Sequence, residues 1–424
     1  MRPQVDAYNS RVGYWKQRLI QQDEQGWKYS DKAICPRCVK DTHLKELVRA
    51  AVSTVHCDFC RTSRPRRGAP FDVLTRAVAE TFFQYYRPAV DHLGYDGGEG
   101  GYFGTTYDTW DLVHDEFSDV SDNEEVLKEI IDCLGDETWC DVNPYGFAGA
   151  ERYAVSWSAF CRTVKHRTRY FFHSAAAQEE RLGSDNELTP VPEVLAEIAE
   201  VIQTAGMDVV LAVDSPLFRV RPHHPGTACT KATELGPPPE DLAPNNRMSA
   251  AGVSVFYGAF ELPTAVSEVA AGLPKRHGKV LTGAEWRTKR EFHLIDLTRL
   301  PTLGSPYAEH REDRAPLVFL RQFVGEITQP VTHDGKEHIE YVLPQVLTEY
   351  LRLQYRSASG HVLDGIVYPS AQRQKGRSVV LFVSHRDLNG PFSARDAALT
   401  LVDTSIQQIP APRRRRKRPT RRRP

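Results

Sequence analysis

Four of the eight cysteines form two closely spaced pairs, Cys35 with Cys38 and Cys57 with Cys60. Two residues separate the members of each pair, and 18 residues separate the pairs. Each CxxC turn can present two thiolates to one metal ion, and two such turns supply the tetrahedral S4 ligand set of a closed zinc site. A redox dithiol and a pair of disulfides are the alternatives, and both are disfavoured by the paired arrangement in a chain expected to be cytoplasmic. We therefore predict a zinc-ribbon-like module that holds a structural zinc ion.

A second set of reactive side chains lies in the C-terminal half, where four sequence blocks hold basic, aromatic, acidic and hydroxyl groups. The blocks are Leu217-Phe218-Arg219-Val220-Arg221, then Asn246-Arg247-Met248-Ser249 followed by Phe256-Tyr257-Gly258-Ala259, then Ala265-Val266-Ser267-Glu268, and last Leu363-Asp364-Gly365-Ile366-Val367-Tyr368-Pro369-Ser370. Each residue alone is compatible with an ordinary structural role. Their order along the chain indicates that they contribute to one site.

In this order the blocks resemble the RES domain, a family named for its Arg, Glu and Ser residues. Its known members are toxins that consume NAD or transfer ADP-ribose from it. The segment Glu340–Leu351 also resembles the helix that such domains carry between the glutamate and the serine. The resemblance covers roughly residues 205–390. It implies an α+β domain with the ADP-ribosyltransferase-like fold.

The resemblance also implies roles for individual residues. Arg219, Glu268 and Ser370 correspond to the three catalytic residues that give the family its name, and Arg247 and Tyr257 correspond to residues that line its NAD pocket. Arg221 would replace Arg219 if the register of the strand were shifted. Arg219 is favoured because it directly follows the aromatic Phe218.

The chemistry of NAD cleavage suits these residue types. Loss of nicotinamide leaves a ribose carbon that develops positive charge, which a carboxylate such as Glu268 can stabilise. The pyrophosphate suits a guanidinium, because a planar fork contacts two oxygens at once. Tyr257 can offer an aromatic face to the nicotinamide, and Ser370 can hold its amide. The sequence leaves the acceptor open between water, phosphate and a protein side chain.

Helical periodicity dominates residues 71–173, which lie between the cysteines and the four blocks. One buried helix face is predicted from apolar residues at spacings of three or four. These residues are Phe71, Leu74, Val78, Phe82 and Tyr85. Ser121 and Glu124 have the spacing of a capping box before a second helix, which Gly135 is expected to end. A third helix is predicted over Arg152–Phe172.

This helical region resembles the HEPN-type module found ahead of some RES domains. Many HEPN domains are ribonucleases with an arginine and a histidine close together on one helix, and Arg167 and His173 fit that pattern loosely. A HEPN-type ribonuclease is therefore one alternative function. The other is a non-catalytic zinc-ribbon interaction protein. The preferred role for residues 1–180 is a sensor or adaptor that restrains the RES domain.

The chain is thus predicted to be a multidomain protein. Its parts are an N-terminal helix and zinc-binding module (1–65), an α-helical HEPN-like domain (66–180), the α+β RES domain (190–400) and a disordered basic tail (409–424). Within the RES domain short strands are predicted to alternate with helices over Thr264–Ala271 and Leu343–Leu353. Two loops, around residues 236–239 and 304–314, are expected to be too polar for a core.

The net charge of −1 hides an uneven distribution. Nine of the 54 Lys and Arg residues lie in Arg413–Arg418 and Arg421–Arg423, and removing these nine charges leaves −10 for the rest. An acidic body argues against a domain that lies along nucleic acid, although the tail could contact nucleic acid or an acidic partner. No membrane segment or signal peptide is evident, so the cytoplasm is the expected location. NAD and an antitoxin or regulatory protein are the expected partners.

Overall fold

The computed structural model describes residues 16–53, 56–60, 67–98, 100–147, 149–172, 188–227, 229–273, 278–308, 314–329, 337–389 and 397–409. The chain divides into two compact units. The N-terminal unit runs to Arg152 and also includes Leu303–Ala315, and the C-terminal unit contains Tyr153 and most of the chain that follows. No helix among the described residues is both long and apolar enough to cross a membrane. Of the predicted disordered tail (409–424), Ile409 lies in a strand and residues 410–424 fall outside the described part. The four predicted domain limits stay predictions.

The N-terminal unit is mainly helical, with short strands between its helices. Its helices are α1 (Thr42–Ala50), α2 (Asp72–Tyr85), α3 (Ala89–His92), α4 (Thr109–Asp115) and α5 (Glu124–Leu134). Its strands are β1 (Ala33–Ile34), β2 (Ala69–Pro70), β3 (Tyr86–Pro88), β4 (Tyr95–Asp96), β5 (Gly101–Tyr102), β6 (Tyr107–Asp108) and β7 (Thr138–Asp141). β1 pairs with β2, β7 pairs with β3 and β6, and β4 pairs with β5, all antiparallel.

One hydrophobic core joins the cysteine module to the helices that follow it. Phe59, which lies between two of the cysteines, packs on Phe71 with ring centroids 5.2 Å apart. The predicted face of α2 is confirmed, since Leu74, Val78 and Phe82 are completely buried. The core therefore extends across the expected boundary between residues 65 and 66.

Two details of this unit differ from the sequence expectations. Helix α5 is capped by Asn123, whose side chain accepts a hydrogen bond from the Glu125 amide, and the predicted cap Ser121 donates to the Cys38 carbonyl instead. Gly135 ends the helix as predicted, with φ +89°. In the loop that was expected to be too polar for a core, Tyr307 is buried and donates to Asp119. Both differences arise from contacts between residues distant in sequence.

The C-terminal unit has α/β architecture. Its helices are α6 (Gly149–His166, from Tyr153 onward), α7 (Val194–Thr204), α8 (Ala232–Leu235), α9 (Leu262–Ala271), α10 (Arg314–Thr328, from Pro316 onward), α11 (Glu337–Glu340), α12 (Val342–Leu353) and α13 (His385–Asn389). Its strands are β8 (Asp208–Leu211), β9 (Pro216–His223), β10 (Phe256–Ala259), β11 (Val280–Thr288), β12 (Phe292–Asp296), β13 (Gly365–Pro369), β14 (Arg377–Leu381), β15 (Leu399–Leu401) and β16 (Gln407–Ile409). Both helices predicted within the RES domain are confirmed, with α9 beginning two residues earlier than expected.

These nine strands form one mixed sheet, in the order β15-β11-β9-β10-β14-β13-β12-β8, with β16 also paired to β11. Only β12 and β13 are parallel neighbours among the described pairs. The predicted fold class is confirmed at this level: a helical N-terminal region with a cysteine cluster precedes an α/β region with a mixed sheet. Strands β9 and β10 lie side by side at the centre, where they position the site described below.

Helix α10 was not predicted from the sequence. It contributes Phe319, Leu320 and Phe323 to a core that also includes Trp157 and Phe160 of α6. The rings of Trp157 and Phe323 pack edge to face with their centroids 4.9 Å apart, and the Trp157 indole donates to Glu326 at 2.9 Å. The stretch between Glu268 and Pro344 therefore supplies a core helix as well as surface loops.

Candidate functional site

Strands β9 and β10 and helix α9 border a cavity of about 550 Å³ in the C-terminal unit. Its volume lies within the range of about 300–1,000 Å³ usual for small-molecule sites. Four of the five predicted site residues of this region line it, namely Arg219, Arg247, Tyr257 and Glu268. Ser370 is not part of the lining but is hydrogen-bonded to one of these four residues. The structure therefore brings the predicted set together.

Arg219 is buried in the wall of the cavity, with 8% of its surface exposed. Its Nη1 donates to the carbonyl of Tyr257 at 2.5 Å, and its guanidinium carbon lies 5.3 Å from the centre of the Phe256 ring. Its buried Nε has no hydrogen-bond partner in the described part of the chain. Burial, and secondarily the nearby Arg221, lower the pKa of Arg219 to about 9. A buried cation without a carboxylate partner suits an anionic ligand.

Arg221, the alternative to Arg219, also lines the cavity but its guanidinium is occupied. Its Nε donates to the Glu234 carbonyl and its Nη2 to the Gly236 carbonyl, both at 3.1 Å. These bonds fix helix α8 and the start of the loop that leads to Arg247. The geometry thus favours Arg219 as the ligand-binding arginine and Arg221 as a support for the wall.

Tyr257 connects Arg219 with the turn that carries Arg247. Its carbonyl accepts from Arg219, and its hydroxyl accepts from the Met248 amide at 3.2 Å and lies 3.0 Å from the Ser249 hydroxyl. Burial raises the pKa of Tyr257 to about 12. The phenol therefore remains protonated at neutral pH. Because its hydroxyl is hydrogen-bonded within the cavity wall, the ring is the part of Tyr257 that is available to a ligand.

Glu268 extends from α9, and Ser370 follows the end of β13. The Ser370 hydroxyl donates to Oε1 of Glu268 and accepts from the amides of Gln372 and Arg373 at 3.2 and 3.1 Å. Because two amides occupy its lone pairs, the hydroxyl hydrogen is directed at the carboxylate. The bond fixes one carboxylate oxygen, and no described residue hydrogen-bonds to the other, which is therefore available to a ligand.

Tyr368 and Gln345 line or support the cavity without having been assigned a role from the sequence. Burial raises the pKa of Tyr368 far above its ordinary value, with smaller contributions from Tyr257 and Glu268. Its hydroxyl therefore stays a hydrogen-bond donor. Gln345 holds the turn of Arg247 through its side-chain amide. Both lie in segments that resemble the RES domain, but no local pattern distinguishes either from a structural residue.

The four predicted metal ligands form a separate site in the N-terminal unit. The thiol sulfurs of Cys35, Cys38, Cys57 and Cys60 all lie within 4.8 Å of one another. Sulfur distances of 3.3 Å (35–60), 3.5 Å (38–60), 3.8 Å (35–38) and 3.9 Å (38–57) separate four of the pairs. A tetrahedron with zinc–sulfur bonds of about 2.3 Å has edges of about 3.8 Å. The four thiols could therefore hold one metal ion.

Neighbouring groups support this cysteine cluster. The Cys35 amide donates to the Cys57 sulfur at 3.1 Å. The carbonyls on either side are also fixed, because Ser121 donates to Cys38 and Asn123 donates to Phe59. All four positions come from the protein, which is the arrangement of a closed structural site.

The structure describes only one of the two residues on which the ribonuclease alternative depends. Arg167 directly follows α6, while His173 lies outside the described residues. Their separation is therefore not defined, and the alternative stays a prediction.

Two protein families match this chain. Residues 50–178 match the family described as HEPN/RES N-terminal domain 1, and residues 216–401 match the RES domain. The second match contains every predicted residue of the cavity, and both resemblances noted in the sequence are confirmed. A search of curated proteins found no match to the chain.

Proposed function

Because this chain carries a HEPN/RES N-terminal domain and a RES domain, a toxin-like and NAD-related enzyme type, we propose that it cleaves the bond between nicotinamide and ribose in NAD. The outcome is either degradation of NAD or transfer of its ADP-ribose group. The observation that carries the proposal is the meeting of Glu268 with two arginines, Arg219 and Arg247, around one cavity.

The charges of the cavity suit the two polar parts of NAD. Arg219 is buried with an unpaired Nε, and Arg247 makes no hydrogen bond or ion pair with another described residue. The unpaired guanidinium of Arg247, together with the partly paired guanidinium of Arg219, favours the pyrophosphate. The anchored carboxylate of Glu268 suits the ribose, where positive charge develops.

Apart from the acceptor, the proposed reaction uses side chains that lie in or beside the cavity. The bond between ribose C1′ and the nicotinamide nitrogen breaks, and its electron pair neutralises the positive nitrogen of the leaving group. The free oxygen of Glu268 stabilises the cationic ribose and holds its hydroxyls. Ser370 keeps the carboxylate in place. An acceptor (water, phosphate or a protein side chain) then bonds to C1′ and loses a proton.

The test is the release of nicotinamide from NAD by the purified full-length protein. Reactions with and without phosphate are monitored by chromatography. Glu268→Gln removes the negative charge and is expected to lower the rate about 100-fold or more. Glu349→Gln, at an exposed position of α12, is the matched control and should retain the wild-type rate. A phosphorylated ADP-ribose product would identify phosphate as the acceptor. Equal rates for wild type and Glu268→Gln would refute the proposal.

For the cysteine cluster we propose a structural zinc ion held by Cys35, Cys38, Cys57 and Cys60. The ion would contribute folding free energy, because the four thiolate ligands are brought together only in the folded chain. It has no part in the proposed reaction. The N-terminal region would then serve as a sensor or adaptor.

The remaining functional expectations stay predictions. They comprise toxin activity under the control of an antitoxin or regulatory partner, a nucleic-acid contact through the basic tail, and a cytoplasmic location. The non-catalytic zinc-ribbon alternative and the ribonuclease alternative also stay open, and the NAD assay separates both from the proposed enzyme.

A further inference from the structure

Arg247 lies at the corner of a tight turn on the cavity wall. The turn is Asn246–Ser249, closed by a hydrogen bond from the Asn246 amide to the Ser249 carbonyl at 2.9 Å. The guanidinium of Arg247 is half-buried and has no partner among the described residues. Its position therefore depends on how firmly the backbone of the turn is held.

Gln345 of α12 holds this turn from one side, although about 100 residues separate the two in sequence. Its Nε2 lies 2.6 Å from the Asn246 carbonyl, 2.7 Å from Oδ1 of Asn245 and 3.2 Å from the Ser249 carbonyl. One amide thus bonds to both ends of the turn. Such a contact opposes any opening that would move Arg247.

Two further contacts fix the middle of the turn. Thr348, one helical turn after Gln345, places its hydroxyl 3.3 Å from the sulfur of Met248. From the cavity side, the hydroxyl of Tyr257 accepts from the Met248 amide. The turn is therefore held between α12 and β10, with Gln345 as its main polar attachment to the helix.

We propose that Gln345 is a positioning residue that orients Arg247 toward the pyrophosphate of NAD. This inference rests on the proposed function. The chemistry of the side chain fits the task, because a neutral amide donates to the turn oxygens without placing another charge beside Arg247. A glutamate would repel the carbonyls, and a lysine would repel the guanidinium.

The test is a double-mutant cycle with steady-state kinetics of nicotinamide release. Gln345→Met keeps the volume but removes the donors. It is expected to raise KM for NAD about tenfold and to change kcat less than about twofold, because a ground-state contact to the pyrophosphate is weakened. Gln322→Met, the same change at an exposed site on α10, is the control and should leave both constants unchanged.

The decisive measurement is the same substitution in an Arg247→Ala background. If Gln345 acts through Arg247, Gln345→Met adds less than about twofold to KM once that arginine is absent. A full tenfold increase in that background, or a loss confined to kcat, would overturn the inference. Melting curves of each variant establish that it is folded. If Gln345→Met does not fold, Gln345→Asn, which keeps the amide but shortens its reach, takes its place with the same expectation.

Failure of the inference and failure of the proposed function give different results. Wild-type turnover that depends on Glu268 but is insensitive to Gln345 would reject only the inference. Absence of turnover in folded wild-type protein would reject the function on which it rests.

Discussion

The buried charge of Arg219 is expected to lower the stability of the ligand-free protein. Arg219 is 8% exposed, its Nε has no partner among the described residues, and burial lowers its pKa from 12.5 to about 9. Converted at about 1.4 kcal/mol per tenfold change in proton affinity, holding this charge costs about 5 kcal/mol at neutral pH. We therefore expect Arg219→Met, which removes the charge and keeps most of the volume, to stabilise the free protein.

The gain is smaller than the full cost of the charge. The substitution leaves the Tyr257 carbonyl without its donor and removes the contact with Phe256, at about 1–3 kcal/mol together. A net stabilisation of about 2–4 kcal/mol remains, equivalent to a rise in Tm of about 4–16 °C for a unit of this size. The matched control is Arg221→Met, which breaks two hydrogen bonds to carbonyls without relieving an unpaired nitrogen. Its Tm should fall.

The pH dependence has a defined sign. Below about pH 9 folded and unfolded chains both keep the Arg219 proton, so the cost of the charge is fully present. Between about pH 9 and 12.5 the folded protein releases a proton that the unfolded chain retains, and wild-type stability improves with pH. The advantage of Arg219→Met should therefore be largest at pH 7 and smaller at pH 10.

Thermal melts of the three proteins, with and without ADP-ribose, provide the assay. ADP-ribose should raise the Tm of the wild type and have little effect on Arg219→Met, because the ligand supplies the missing anionic partner. NAD turnover by Arg219→Met should be lost. An Arg219→Met protein that melts at or below the wild-type temperature would refute the idea that the buried charge is a net cost.

Three further outcomes are expected. Ser370→Ala should lower NAD turnover about 10–100-fold with little change in Tm, because the carboxylate loses its anchor; unchanged kinetics would show that the anchor is dispensable. Elemental analysis should find about one zinc per chain in the wild type and in Cys161→Ala, and much less in Cys57→Ser; equal metal content would exclude the four-thiol site. Gly365→Ala should lower Tm markedly, since a β-carbon there would lie 2.2 Å from a β14 carbonyl oxygen; a melt like the wild type's would contradict this close strand packing.

Local features of the sequence determined much of the fold. The paired spacing of the cysteines identified the thiol cluster, since each turn depends on only four residues. The apolar repeat from Phe71 predicted the buried face of α2, and Gly135 predicted the end of α5. The same local reasoning missed α10, although its buried Phe319, Phe323 and Ile327 recur every four residues, a helical spacing that the sequence alone shows. It also predicted Ser121 as the helix cap, whereas the Ser121 hydroxyl donates to the carbonyl of Cys38, 83 residues away.

For the cavity, the sequence alone determined which residue types are present and in what order, through their resemblance to a known family. Only the tertiary structure decided how they are connected. Glu268 and Ser370 meet across 102 residues, and Gln345 reaches the turn of Arg247 across 99. Arg219 and Arg221 differ by two positions on one strand. A buried nitrogen of the first has no partner among the described residues, whereas the carbonyls of Glu234 and Gly236 accept from the second. Such hydrogen bonds depend on which strands and helices are neighbours in space, and short-range periodicity carries no information about that.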